Sequence, residues 1–150
     1  MKRIIIGFIL VVMFASGAWA KGRIQDGLCK VYLRDGQDFL FMIEMQRDAK
    51  RDGAAFQFYP NGEVEKMAWY RNGILDGTYR AFWSDGTQRS LLDYHNGIPD
   101  GRAYHYDRKG RLQCQLGYSQ GRLSGTGYYY EDGALDKTVE YRKGRAVQIK

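Results

Sequence analysis

Asp52, Asp76 and Asp100 recur every 24 residues, each directly ahead of a glycine, and Ser124 continues the column. A column of carboxylates is an arrangement that can hold Ca²⁺. The nonapeptide calcium repeat is absent, however, and Asp before Gly is ordinary turn chemistry, so the column reads as structural. His95 and His105 lie in different copies of the same spacing. Two imidazoles without supporting cysteine or carboxylate spacing make no metal centre. Ser90 and Ser124 have no motif around them that would activate a nucleophile. The expectation is therefore a non-enzyme with no catalytic residue, no metal and no cofactor.

Binding chemistry is better represented. Arg102, Arg108, Lys109 and Arg111 cluster around one turn, among aromatic residues. The chain carries a net charge of +6, and residues 101–150 hold 10 basic against 5 acidic side chains while residues 21–100 hold 11 against 12. A basic C-terminal part suits an acidic protein or an anionic membrane surface. No DNA- or RNA-binding motif accompanies it, so nucleic acid is not an expected partner. The expected partner-binding residues are Phe58, Tyr59, Phe82, Trp83, Tyr104, Tyr106 and Tyr129, together with Arg102, Arg108, Lys109 and Arg111.

What positions these residues is a repeat. Gly53, Gly77, Gly101 and Gly125 are spaced by 24 residues throughout and open units 53–76, 77–100, 101–124 and 125–148. A second glycine recurs at Gly62, Gly86 and Gly110, and a third at Gly73, Gly97 and Gly121. The fourth unit is one residue short ahead of its middle turn, so its glycines are Gly133 and Gly144. A degenerate copy, 27–52, keeps Gly27 and Gly36 but reads Asp48-Ala49 at its third turn. Alanine is strained at positive φ, so a differently shaped turn is expected there. All twelve recurring glycines from Gly53 to Gly144 read as turn glycines, with Asn96-Gly97 and Pro99-Asp100-Gly101 as successive turns.

Between glycines the residues alternate. Val64, Leu112 and Leu135 share a column, Ala68, Leu92, Leu116 and Val139 a second, and Tyr70, Tyr94, Tyr118 and Tyr141 a third. These columns differ by even steps, which places all three on one strand face. The intervening column of Glu65, Arg89, Gln113 and Asp136 is polar. Each unit is thus two short strands around a middle turn, and the units stack as an all-β antiparallel hairpin meander in one elongated twisted sheet. At about 4.8 Å per strand each unit advances roughly 10 Å. Most Tyr and Phe columns form the core, where each buried aromatic contributes roughly 2 kcal/mol. Cys29 and Cys114 fall three units apart, roughly 30 Å, against about 7 Å for a disulfide; only an interchain bond would be open to them. The final stretch RAVQIK reads as an edge strand guarded by Lys143, Arg145 and Lys150.

The first twenty residues differ from the rest. Lys2 and Arg3 precede an apolar run from Ile4 to about Ala15, and Ala18-Trp19-Ala20 fits a cleavage site. The run is short for a membrane span of roughly 17 to 25 residues. It reads as a Sec-type signal peptide cleaved after Ala20, which leaves a domain at 21–150 that is periplasmic or secreted.

Aromatics before x-G, then Tyr-x-x-Gly, then a closing glycine recur in FYPNGEVEKMAWYRNGILDG and FWSDGTQRSLLDYHNGIPDG. This pattern resembles the MORN repeat in its bacterial variant form, and it looks like the YwqK-family antitoxin repeats. The resemblance covers 53–148 well and 27–52 weakly. It implies a stacked-hairpin sheet acting as a binding or scaffolding surface, which in some relatives is thought to neutralise a toxin. With an export signal, the implied form is an envelope immunity protein that occludes a toxin or envelope protein, with a membrane- or envelope-associated scaffold as the alternative.

Overall fold

The structure, a computed structural model, describes residues 23–24, 27–33 and 40–149. The signal-peptide reading of 1–20 and the glycine at Gly36 lie outside the described residues. Among those described, thirteen strands form one antiparallel sheet in chain order. They are β1 (Arg23–Ile24), β2 (Gly27–Leu33), β3 (Leu40–Arg47), β4 (Lys50–Phe58), β5 (Val64–Arg71), β6 (Ile74–Phe82) and β7 (Gln88–His95). Then follow β8 (Ile98–Tyr106), β9 (Leu112–Ser119), β10 (Arg122–Leu123), β11 (Gly125–Glu131), β12 (Ala134–Arg142) and β13 (Arg145–Ile149). The all-β meander expected from the repeat is what the chain adopts.

Two kinds of turn alternate along the two rims. Asn72-Gly73, Asn96-Gly97, Gln120-Gly121 and Lys143-Gly144 each place two successive residues at positive φ, between 48° and 85°. That is the signature of the tight hairpin turn whose twist matches its strands. Asp48-Ala49 does the same, at φ 48° and 60°, so the expectation of a different shape there is corrected. The hairpin between β3 and β4 imposes the turn, and Ala49 accepts the strain. The middle loops on the opposite rim are longer. Tyr59 N–H donates to the Glu63 carbonyl, Trp83 to Thr87 and Asp107 to Arg111, at 2.8 to 2.9 Å. In the fourth unit the missing residue collapses this loop to the two-residue turn Asp132-Gly133, which joins Glu131 directly to its partner Ala134.

Gly53, Gly77 and Gly101 correct the reading of every recurring glycine as a turn glycine, because they sit inside β4, β6 and β8. The segment Pro99-Asp100-Gly101 is likewise strand, not turn. At each of these glycines the register slips: Ala68 faces Tyr79 but Tyr70 faces Leu75, which leaves three residues against Trp69. The same bulge sets Asp100–Arg102 against Asp93. Glycine is required there, since φ is +124° at Gly101 and a Cβ would lie 2.9 Å from that of Asp93. Gly125 opens β11 with nothing within 4 Å of its Cβ position, because the facing residue is itself a glycine. There Gly117 lies so close to Ser124 that a Cβ would meet its carbonyl oxygen at 2.6 Å. The strand breaks at that point into β10 and β11.

A second bulge corrects the assignment of faces. Phe58 faces Val64 while Gln57 faces Lys66, so Glu65 is an extra residue; Arg89, Gln113 and Asp136 are extra in the later units. An inserted residue switches the face of everything before it. Val64, Leu112 and Leu135 therefore lie on the face opposite Ala68 and Tyr70, despite the even spacing.

The core is a thin layer on one face. Ala55 faces Ala68, then Tyr79, Leu92, Ala103 and Leu116 follow across successive strands. Ala81 and Ala103 are fully buried. Beside this row Tyr70, Tyr94 and Tyr118 pair with Gly53, Gly77 and Gly101, and Tyr141 with Gly125. Tyr79 and Tyr94 meet edge to face at 6.1 Å. At the junction with the degenerate unit, the buried Glu44 carboxylate binds Arg51 and Gln46, and Arg51 also lies over the Tyr70 ring at 5.2 Å.

Ala49→Gly is expected to stabilise the fold by about 1 kcal/mol, the relief of a left-handed alanine, measured by urea unfolding. Gly101→Ala should cost about 2 kcal/mol or more and Gly125→Ala about 1 kcal/mol, because only the former adds a steric clash to the strain. Equal losses would refute that steric account.

Candidate binding surface

The middle loops stack along one rim through contacts between units. The Tyr59 hydroxyl donates to the Phe82 carbonyl at 2.9 Å, and Asn61 Nδ2 to the Ser84 carbonyl at 2.7 Å. Further along, Arg111 binds Asp107 of its own loop and Asp132 of the next, both at 2.8 Å. The Asp107 carboxyl is held below its ordinary pKa, first by the hydrogen bond from the Arg111 backbone N–H. A cavity of about 170 Å³ lies beside this bridge, lined by Asp107, Arg111, Tyr130 and Asp132 among others.

Between these contacts sits Trp83, at the point where β6 enters its loop. Arg108 lies over its ring at 4.4 Å from the centroid and Arg89 at 5.3 Å. The three side chains come from three places: a loop entry, the extra residue of a bulge, and the loop of the following unit. Arg89 also acts on His105. Burial lowers the His105 pKa below 6.5, and the Arg89 charge lowers it further.

The expected partner-binding residues do not form one surface. Phe58 is buried at 5 % exposure, on the face opposite the alanine row beside Val64, which corrects its assignment as a contact residue. Tyr129 lies on the alanine face, paired with Cys114, whereas Tyr104 lies on the other face between Leu91 and Gln115. The Tyr129 hydroxyl is spent on Tyr141 at 2.6 Å; burial, then that bond, pushes the Tyr129 pKa well up. Arg102 corrects the idea of a single basic turn: it is in β8, at the Gly101 bulge, with its N–H 3.4 Å from the Asp93 carboxylate. Arg111 is engaged in bridging loops. Tyr59, Phe82, Trp83, Tyr104 and Tyr106 are half-buried, while Arg108 and Lys109 are exposed. Arg89 was not among the expected contacts. Its signal was a cation in the polar column, six residues after a tryptophan.

The aspartate column is not turn chemistry either. Asp52 and Asp76 are strand residues at the bulges, and they contact side chains of neighbouring strands: Arg47 at 3.6 Å for Asp52, and Arg71 at 3.4 Å and the His95 ring at 3.3 Å for Asp76. Among the described residues no three His, Cys, Asp or Glu side chains come together as metal ligands. Cys29 and Cys114 lie in β2 and β9, seven strands apart in the sheet order. That is roughly 34 Å at ordinary strand spacing, and burial raises the Cys114 pKa.

Residues 51–72, from β4 through the middle loop to the tight turn, match the family described as MORN repeat variant. No curated protein matches the chain. Among solved structures, the accessory secretory protein 1, 2 and 3 structure of Streptococcus pneumoniae is similar, with 15% identity and a TM-score of 0.41. The match covers 73% of this chain and 20% of that one, so the chain spans about a fifth of its length.

A His105 pKa lowered in the fold means that the unfolded chain takes up the proton first. The stabilisation from neutral His105 is complete above about pH 6.5 and is lost as pH falls below it. Urea unfolding at pH 7.5 and 5.5 should therefore show a loss in the wild type that is smaller in His105→Gln; an unchanged loss would place its origin elsewhere.

Proposed function

We propose that the chain is an exported, non-catalytic repeat module that binds a protein partner in the cell envelope, in the manner of an immunity protein covering a toxin or an envelope protein. The observation that carries this reading is the repeat itself. Each unit adds about 10 Å of sheet held by its neighbours, and half-exposed aromatics recur along it at Phe82, Tyr104 and Tyr106. A regular, pre-ordered surface of this kind loses little entropy when a partner docks. The match of residues 51–72 to the MORN repeat variant supports a non-catalytic module. The antitoxin form comes from the resemblance to YwqK-family repeats, and the export from the pattern of Met1–Ala20.

The basic bias of residues 101–150 favours a second reading, an envelope scaffold on anionic lipid. Capture of the C-terminally tagged protein from the envelope of its own cells separates the two. The expected result is one dominant protein in stoichiometric amount, with a mature N-terminus at Lys21. Lipid or peptidoglycan alone, released by salt, would replace the immunity reading with the scaffold.

A further inference from the structure

Two guanidinium groups on one indole are more than packing requires. One cation over Trp83 would fasten a loop to its neighbour, as the Tyr59 hydroxyl does one unit earlier. The second brings a like charge to within about 10 Å of the first. Among the described residues neither Arg89 nor Arg108 has an ion-pair partner, whereas Arg47, Arg51, Arg71 and Arg111 each have one. The nearby Asp85 spends an oxygen on the Thr87 N–H at 2.9 Å. Trp83 Nε1 is buried and has no hydrogen-bond partner. Both guanidinium groups thus lie over one indole without an ion pair of their own, although the charge of Arg108 is felt at Asp85.

Among the described residues the cluster occurs once along the repeat. The position of Arg89 is Glu65 in the previous unit, where it accepts from Gln57 at 2.8 Å, and Gln113 and Asp136 in the later ones. The position of Arg108 is Pro60 and Ser84 in the earlier units. A pair of guanidinium forks suits a carboxylate, which takes two parallel hydrogen bonds from each. The rim also decides against a flat anionic membrane. Glu63, Asp85, Asp107 and Asp132 share that rim with the cations, and a continuous negative plane would meet all of them. An extended acidic chain can place single carboxylates between them.

The geometry points to a subsite formed by Trp83, Arg89 and Arg108 for a carboxylate side chain of an acidic protein segment, with Lys109 placed for a second one. This rests on the protein-binding reading above and names the chemistry of the partner. A fluorescent octaglutamate peptide, titrated into the purified full chain and followed by anisotropy, tests it. Arg89→Gln and Arg108→Gln should each weaken binding about tenfold, in line with the loss of a charge-assisted bidentate contact. Arg122→Gln, at the other rim, should change it less than about twofold. Trp83→Leu, which removes the aromatic face under both guanidinium groups, should weaken binding about threefold. Equal binding by wild type and Arg108→Gln would overturn the subsite, as would binding to phosphatidylglycerol vesicles without binding to the peptide. An envelope protein captured equally by wild type and Arg108→Gln would overturn it too, while leaving the protein-binding reading intact. Peptide binding lost in both arginine variants, with no protein captured, would uphold the subsite and remove that reading.

Discussion

The sheet depends on one steric constraint: once in each unit, three residues of a strand must pass against a single residue of its neighbour. Backbone can come that close only where no Cβ intervenes, as the 2.9 Å approach at Gly101 and the 3.0 Å approach at Gly77 show. A tyrosine faces each glycine of the column across its hairpin, Tyr70, Tyr94, Tyr118 or Tyr141, so the tyrosine and glycine columns run together. The bulge also displaces the strand ends, so the glycine of each tight turn reaches the preceding unit: Gly97 N–H bonds the Leu75 carbonyl and Gly121 the Pro99 carbonyl, both at 2.8 Å. Side-chain burial is secondary to this backbone fit. Among the described residues no large side chain is fully buried, and the most buried positions are alanines.

The fold was legible because a 24-residue period with Asn-Gly and Gln-Gly steps fixes hairpin length and turn class together. The two long strands of each unit, the tight turns after Asn and Gln, and the polar column follow from that pattern. What alternation could not carry was the pair of bulges. A bulge residue keeps the sequence spacing while changing the register, so Val64 looks coaxial with Ala68 and is not. Gly101 looks like a turn because it follows Pro-Asp, yet its glycine is demanded by Asp93 across the strand. Ala49 shows the converse, a turn that its neighbours impose on a residue with no preference for it.

The candidate site was less legible, for a related reason. Trp83 and Arg108 stood out by type, but grouping Arg102 with Arg108 ignored the length of strand between the bulge and the loop. Tyr129 and Tyr104 share composition and lie on opposite faces. Arg89 was hidden in a column whose other members are Glu65, Gln113 and Asp136. In a repeat protein the informative residue is the one that departs from its column, and each departure must be placed in three dimensions before it can be interpreted.

The interchangeability of the units bears on how such a chain can change length. The interfaces made by Gly77 with Tyr94 and by Gly101 with Tyr118 have the same register, so duplicating or deleting a whole unit between them rejoins surfaces that already fit. The split between β10 and β11 differs. There Gly117 faces Gly125 and the Ser124 N–H is turned to the Gly117 carbonyl at 2.9 Å. A unit inserted at that seam would meet a partner of another shape. Growth by duplication is thus open in the middle of the array and closed near its C-terminal seam, so that gain or loss of reach leaves the terminal hairpins as they are.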